Sequence, residues 1–223
     1  RAGLVQTLEY STAATPPAVA PRPGLLIRVS DAFGRQLNFT YDALGRLASL
    51  QDPAGQAYVY ETTSQNHFAS VTYPDGKNRT YLYNEPEYIS TNYYEGRLTG
   101  IIDENDSRFG SYYYNGIGFA TRTTLASGAN NYVVNPGAWP SSVPVTDALG
   151  TVRTYNYQYI NRAYRNSAIT QPAASGSGTV QSTKSYDANG NLTIRRDFNG
   201  NRTNYAYDLS RNLETSPPEG LTR

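Results

Sequence analysis

The sequence predicts an all-β protein, a run of repeated β-hairpins joined into a spiralling β-sheet. Three observations carry that expectation. A turn motif, Asp-x-x-Gly, recurs at residues 31–34, 42–45, 52–55, 147–150, 187–190 and 197–200. Pairs of aromatic residues two apart lie between the turns, a spacing that puts both rings on one face of a strand. No segment sustains a 3.6-residue apolar period, and Gly or Pro interrupts every window long enough for a helix.

The elements follow in order. Residues 1–24 read as a strand and then a Pro/Ala-rich linker, with STAATPPAVAPRPG at 11–24 taken as extended. Residues 25–126 read as hairpins. The clearest unit runs through Tyr41, Asp42, Gly45, Arg46 and Leu47 to Asp52 and Gly55, and ends on Tyr58 and Tyr60. Asp42 and Asp52 can accept backbone N–H bonds within their turns, and Gly45 and Gly55 can take φ > 0. Arg46 is expected to lie across a tyrosine or carboxylate of a neighbouring hairpin. Tyr81 and Tyr83 end the next unit. Gly96, Arg97 and Leu98 open a partial one, and Tyr112 and Tyr114 follow it. Residues 127–144, which hold the single tryptophan, Trp139, read as an irregular loop. Hairpins resume over 145–223. They carry the turn from Asp147 to Gly150, the pair Tyr155 and Tyr157, the turn from Asp187 to Gly190 after Tyr186, and the pair Tyr205 and Tyr207 before Asp208. Within them, 171–183 reads as a flexible insertion. Tyr186 to Tyr207 spans 21 residues, in line with a repeat of roughly 20 residues carrying insertions.

Composition narrows the function. Among 223 residues there are 21 tyrosines, and 38% are hydrophobic. Tyr favours strands and has an apolar ring with a polar tip, so the sheet faces are expected to be half wet. Net charge is +1, which offers no overall field for nucleic acid or an anionic membrane. Only Lys77 and Lys184 are lysines, so nearly every cation is an arginine fork suited to carboxylates and rings. Cys is absent, which excludes disulfides and thiolate metal sites. No run of about 18 apolar residues would cross a membrane as a helix. Met is absent even at position 1, so the chain reads as part of something longer.

Candidate chemistry is sparse. His67 is the only histidine and sits in a polar stretch without triad partners, so it reads as a solvated loop residue. Asp103, Asn105 and Asp106 resemble part of a calcium loop, but the glycine and the final glutamate of that loop are missing, and a polar turn is favoured. Glu85 and Glu87 flank Pro86 and read as a solvated strand end. No catalytic, cofactor or metal residues are expected. The exposed tyrosines admit two readings: stacked ladders that hold the sheet, which are favoured, or a platform for sugar rings.

These units closely resemble the RHS/YD-repeat family of bacterial Rhs and wall-associated proteins, insecticidal toxin-complex shell proteins and teneurins. The match rests on Gly34, Phe39, Tyr41, Asp42, Gly45, Arg46, Leu47, Leu50, Asp52 and Gly55, and on Tyr186, Asp187, Gly190 and Leu192. It departs from the pattern in the stretch Ser210-Arg211-Asn212 before Leu213, where the family's Gly-Arg is missing. The resemblance implies an internal segment of a hollow β-sheet shell in a secreted or cell-surface protein. Such a shell would enclose or present a C-terminal toxin outside this chain. The alternative is an adhesive or self-assembling repeat scaffold that binds glycans. Partners would be further repeats or neighbouring copies pairing with open strand edges.

Overall fold

A computed structural model describes residues 4–90, 95–137, 139–174 and 176–215. The remaining parts of the expected terminal segments lie outside these residues. The described chain is all-β: seventeen strands form an antiparallel sheet, and two further short strands form a hairpin. Among the described residues there is no α-helix, only 3₁₀ turns at Pro86–Tyr88 and Ala126–Gly128.

The chain divides into two compact units. The first contains β1 (Thr7–Tyr10), β2 (Leu26–Ser30), β3 (Gln36–Tyr41), β4 (Leu47–Gln51), β5 (Ala57–Thr62), β6 (Phe68–Thr72), β7 (Asn78–Tyr83) and β8 (Leu98–Ile102). It also holds the first part of β9 (Arg108–Tyr114). Each strand pairs antiparallel with the next, from β1 with β2 through β8 with β9.

The second unit takes the end of β9 and continues with β10 (Ala120–Leu125), β11 (Tyr132–Val134), β12 (Ser142–Thr146), β13 (Val152–Ile160) and β14 (Ala163–Pro172). Then come β15 (Thr179–Tyr186), β16 (Leu192–Arg196) and β17 (Arg202–Asn204), again paired in sequence order from β10 onward. β18 (Tyr207–Asp208) and β19 (Leu213–Glu214) form the separate hairpin.

Repetition is tightest in the first unit. Asp31, Asp52 and Tyr73 open successive turns at steps of 21 residues, and so do Asp42, Thr63 and Asn84. The two series alternate along the chain because each unit is two strands. In each of these turns except Asn84's, the opening residue's carbonyl accepts from the N–H of the fourth residue, and its own N–H donates to the carbonyl of the residue after that. At Asp42 these bonds are Gly45 N to Asp42 O and Asp42 N to Arg46 O, both 2.9 Å. This is a type I turn followed by a residue at positive φ, the common three-residue hairpin loop.

Three expectations change on folding. Residues 11–24 are not an extended linker. Ser11 is buried, its Oγ donates to Arg22 O (2.8 Å) and accepts from Leu25 N (2.9 Å), and Tyr41 N donates to Val19 O. Pro16 O accepts from Val19 N at 2.9 Å and Ala20 N at 3.2 Å, which turns the chain back, and Ala20 is 3% exposed. The stretch 127–144 is not wholly irregular, since it supplies β11 and the start of β12. The stretch 171–183 is mostly strand, with only residues 173–178 outside β14 and β15.

Burial is thin. A compact monomer of this mass exposes about 10,000 Å². This chain exposes 14422 Å², and the buried apolar side chains are only Ala20, Val71 and Val143 among the described residues.

Candidate functional site

The turns are the first candidate for chemistry, since most gather a carboxylate and a glycine, and those at Asp31, Asp42 and Asp147 add an arginine. Their geometry uses the carboxylate up locally. Asp42 Oδ1 accepts from Leu44 N and Arg46 N, both 2.9 Å, and Oδ2 accepts from Arg46 Nε at 2.6 Å. Asp147 repeats this with Leu149 N, Thr151 N and Arg153 Nη1. Gly150 completes that turn at φ +82, with its N–H donating to Asp147 O at 3.0 Å. At Asp187 and Asp197 an asparagine side chain, Asn191 or Asn201, replaces the arginine. Asp52 accepts Ala54 N and Gln56 N, and Asp208 accepts Ser210 and Arg211. The bonds from Arg46, backbone first and then guanidinium, hold the Asp42 carboxyl below its ordinary range, and those from Thr151 and Leu149 do the same for Asp147. Such a carboxylate is a poor proton acceptor. Arg46, expected across a neighbour's ring or carboxylate, instead pairs with its own Asp42 and reaches Asn66 Oδ1 of the next turn on that side (3.0 Å).

Thr63, Asn84, Asp103 and Asn115 make equivalent turns that the Asp-x-x-Gly pattern does not detect. Asn66 and Asp106 take the positive φ there in place of glycine. Asn84 is the least visible. Its N–H donates to Arg97 O and its Oδ1 accepts from Arg97 N, the same closing bonds with twelve residues between them. Gly96, at φ +80, and Arg97 therefore complete Asn84's turn around an insertion, and Leu98 begins β8.

The tyrosine that precedes the turn also has a specific role in the geometry. Tyr41 OH donates to Leu26 O (2.7 Å), Tyr83 OH to Phe68 O (2.8 Å) and Tyr186 OH to Asn166 O (2.8 Å). In each case the tyrosine ends its strand at a register shift and reaches back to the preceding strand. Burial raises the pKa of all three hydroxyls, so they remain protonated donors. Phe would fill the same volume and leave the carbonyl unmet. Tyr41→Phe and Tyr186→Phe should each cost about 1 kcal/mol, read as a lower urea midpoint with unchanged slope.

The other rings form ladders in part. Phe68 lies 4.9 Å from Tyr81 and 6.0 Å from Tyr60, and Tyr58 meets Tyr73 edge-on at 6.1 Å. In the second unit Trp139 packs against Phe119, Tyr157 and Tyr164, and Tyr164 against Tyr159. Trp139, Tyr159 and Tyr164 remain exposed. Tyr155 faces Ile169 and Val143 by register, and Tyr205 N donates to Thr193 O.

Planar side chains cover certain turn glycines. A Cβ on Gly45 would meet the Arg22 guanidinium at 3.2 Å, on Gly96 the His67 ring at 2.6 Å, and on Gly190 the Arg165 guanidinium at 2.6 Å. His67 is therefore not a solvated loop residue: it stacks on Tyr83 with centroids 4.9 Å apart. Arg165 takes the same position over Tyr186. Gly150 departs from these despite sharing their motif. It is exposed, and an added Cβ would meet nothing within 4 Å. It serves its turn through backbone conformation alone, whereas Gly45, Gly96 and Gly190 also make room for a side chain.

Glu85 is also not a solvated strand end. Arg108 grips it with both Nη atoms, at 2.9 and 2.8 Å, while Arg108 Nε donates to Ser111 Oγ and Nη2 to Thr99 O. Thr99, fully buried, donates to Glu85 Oε2 at 2.8 Å. The Tyr88 ring covers the guanidinium at 4.3 Å. Gly100 leaves the space the guanidinium occupies, since a Cβ there would collide with it. Hydrogen bonds from Arg108, and then from Thr99, hold the Glu85 carboxyl below its ordinary range. Every strong donor and acceptor in this cluster is matched, as in a clamp.

No cluster of three metal-ligating side chains exists among the described residues. No helix there is long and apolar enough to cross a membrane.

Residues 24–57 match the model of the RHS repeat family. The chain is 33% identical over 60 residues to "Double-stranded DNA deaminase toxin A" of Burkholderia cenocepacia (strain H111), covering 27% of this chain and 4% of that protein. Among solved structures it is similar to TcdB2-TccC3 without its hypervariable C-terminal region, at 13% identity and TM-score 0.46, over 94% of this chain and 13% of that one. It is also similar to the Photorhabdus luminescens Tc holotoxin pore carrying TccC3-D651A, at 17% identity and TM-score 0.41, over 86% of this chain and 10% of that one. The chain thus spans a small fraction of each relative's length.

Proposed function

We propose that the chain, whose residues 24–57 match the RHS repeat family, is a wall segment of a β-sheet shell. The whole protein would be a large secreted or cell-surface bacterial protein whose shell encloses or presents a C-terminal toxin lying outside this chain. The observation that carries the reading is the thin burial. A sheet of this size with three buried apolar side chains needs further repeats at its edges or contents against a face. The turn carboxylates support it from the other side. Bonded to their own backbones, Asp42, Asp52, Asp147, Asp187 and Asp208 hold turns. On this reading the segment's role is structural.

Limited proteolysis of the full-length protein tests this. A C-terminal domain protected in the intact protein, and digested once the shell is opened by a Glu85→Ala/Arg108→Ala change, is the expected result. Equal digestion before and after would overturn the enclosure.

A second reading is favoured by one observation, the exposed ring cluster around Trp139. Aromatic faces of this kind stack on sugar rings. A glycan array should then show binding that Trp139→Ala removes, and an empty array would dismiss it.

A further inference from the structure

Charge that balances over the whole chain is segregated by unit. Among the described residues the first unit carries twelve acidic and eight basic side chains, and the second carries five acidic and nine basic. The excess in the second unit collects on β15–β17. Lys184 lies directly opposite Arg195 across the β15–β16 pair, and Arg196 lies directly opposite Arg202 across β16–β17. Like charges directly opposite one another destabilise a sheet. Four other strand arginines are matched, Arg28 with Glu9, Arg79 with Glu104, Arg108 with Glu85 and Arg153 with Asp147, whereas Arg122 and Arg165 form no ion pair among the described residues. None of the four cations on β15–β17 forms an ion pair among the described residues.

Lys184 and Arg195 share a cleft of about 450 Å³ with Ser182, Tyr205, Leu192 and Phe198. Asp197 also lines it, but its carboxylate is occupied by Asn199 N, Asn201 N and Asn201 Nδ2. Lys184 Nζ has one neutral partner, Asn166 Oδ1 at 3.3 Å. A half-buried ammonium and an exposed guanidinium therefore face one cavity beside a hydroxyl, a phenol and apolar walls, and Asp197, which acts on Arg195 at longer range, forms no ion pair with either cation.

We infer that this cleft binds a carboxylate of an acidic polypeptide segment, with an apolar neighbouring side chain seated against Leu192 and Phe198. The guanidinium fork matches a carboxylate in two bonds, and the ligand's charge relieves the repulsion between Lys184 and Arg195. The apolar lining disfavours a nucleic acid, whose charges recur along its length. The inference does not depend on the shell reading.

The test uses the full chain and a capped peptide of alternating Leu and Glu, titrated by calorimetry at low salt. Its Gln analogue, inorganic phosphate and a single-stranded oligonucleotide serve as comparisons. The Glu peptide should bind at least ten-fold more tightly than the Gln analogue, and Arg195→Gln and Lys184→Gln should each weaken it about ten-fold. Both variants should leave the ligand-free thermal midpoint unchanged or raise it, because each removes a like-charge contact. Equal binding of the two peptides, tighter binding of the oligonucleotide or phosphate, undiminished binding by both variants, or destabilised variants would each overturn the assignment.

Discussion

Arg108→Ala is expected to destabilise the first unit by about 3 kcal/mol. Removing one partner of a buried ion pair typically costs about 3–5 kcal/mol. The lower end applies because the Arg108 and Glu85 side chains keep 28% and 23% of their surface exposed. The cost has three parts. Glu85 loses both charge-assisted bonds, Thr99 O and Ser111 Oγ lose their donor, and the Tyr88 ring loses the cation beneath it. Glu85→Gln should cost less, because the amide keeps an acceptor for the arginine. A double-mutant cycle between the two positions should give a coupling of about 1–3 kcal/mol. The pH dependence has a definite sign. The Glu85 carboxyl is depressed from its ordinary 4.5 in the folded chain. Its contribution is complete above that value and is lost as the pH falls through the depressed folded value. Denaturation midpoints measured in acid should fall more steeply for the wild type than for Glu85→Gln. Parallel profiles would show that Glu85 is not the titrating group.

Gly96→Ala should cost about 2–3 kcal/mol, through two separable effects. At φ +80 an L side chain is strained, and the added Cβ would meet His67 Nε2 at 2.6 Å. His67 cannot step aside without leaving the Tyr83 ring. Gly34 supplies the control, with the same φ of +80 and nothing within 4 Å of an added Cβ. Gly34→Ala should therefore show the conformational part alone, about 1 kcal/mol. His67→Ala introduced into Gly96→Ala should recover stability, although His67→Ala by itself loses the stack. If Gly96→Ala and Gly34→Ala cost the same, His67 does not fill the space above Gly96.

The hairpins are legible in the sequence because their information is local. An Asp that bonds the N–H groups two and four residues on, followed by a Gly at positive φ, closes its turn with no help from the rest of the chain. The turn from Asp147 to Gly150 is the plainest case, since nothing distant packs over its glycine. What stays hidden depends on partners distant in sequence. Thr63, Asn84 and Asn115 open equivalent turns, but a motif written for Asp and Gly passes over them. Asn84 is the extreme, because its closing partner Arg97 lies beyond the insertion. Glu85 reads as solvated because Arg108, 23 positions away, is what removes it from water. The stretch from Ser11 to Gly24 reads as a linker from its prolines, yet Ser11 has one hydroxyl that satisfies two backbone groups across a closed loop. The sites of the tyrosines are predictable from alternation. Their hydroxyl bonds are not, because the carbonyls they meet are 15 or 20 residues back.

The central claim is that these hairpins are wall and not machinery. Cryo-electron microscopy of the full-length protein tests it most directly. The account predicts continuous density in which these hairpins pair at both edges with further repeats and curve around an enclosed volume. An isolated sheet with both edges open to solvent and no enclosed volume would contradict it.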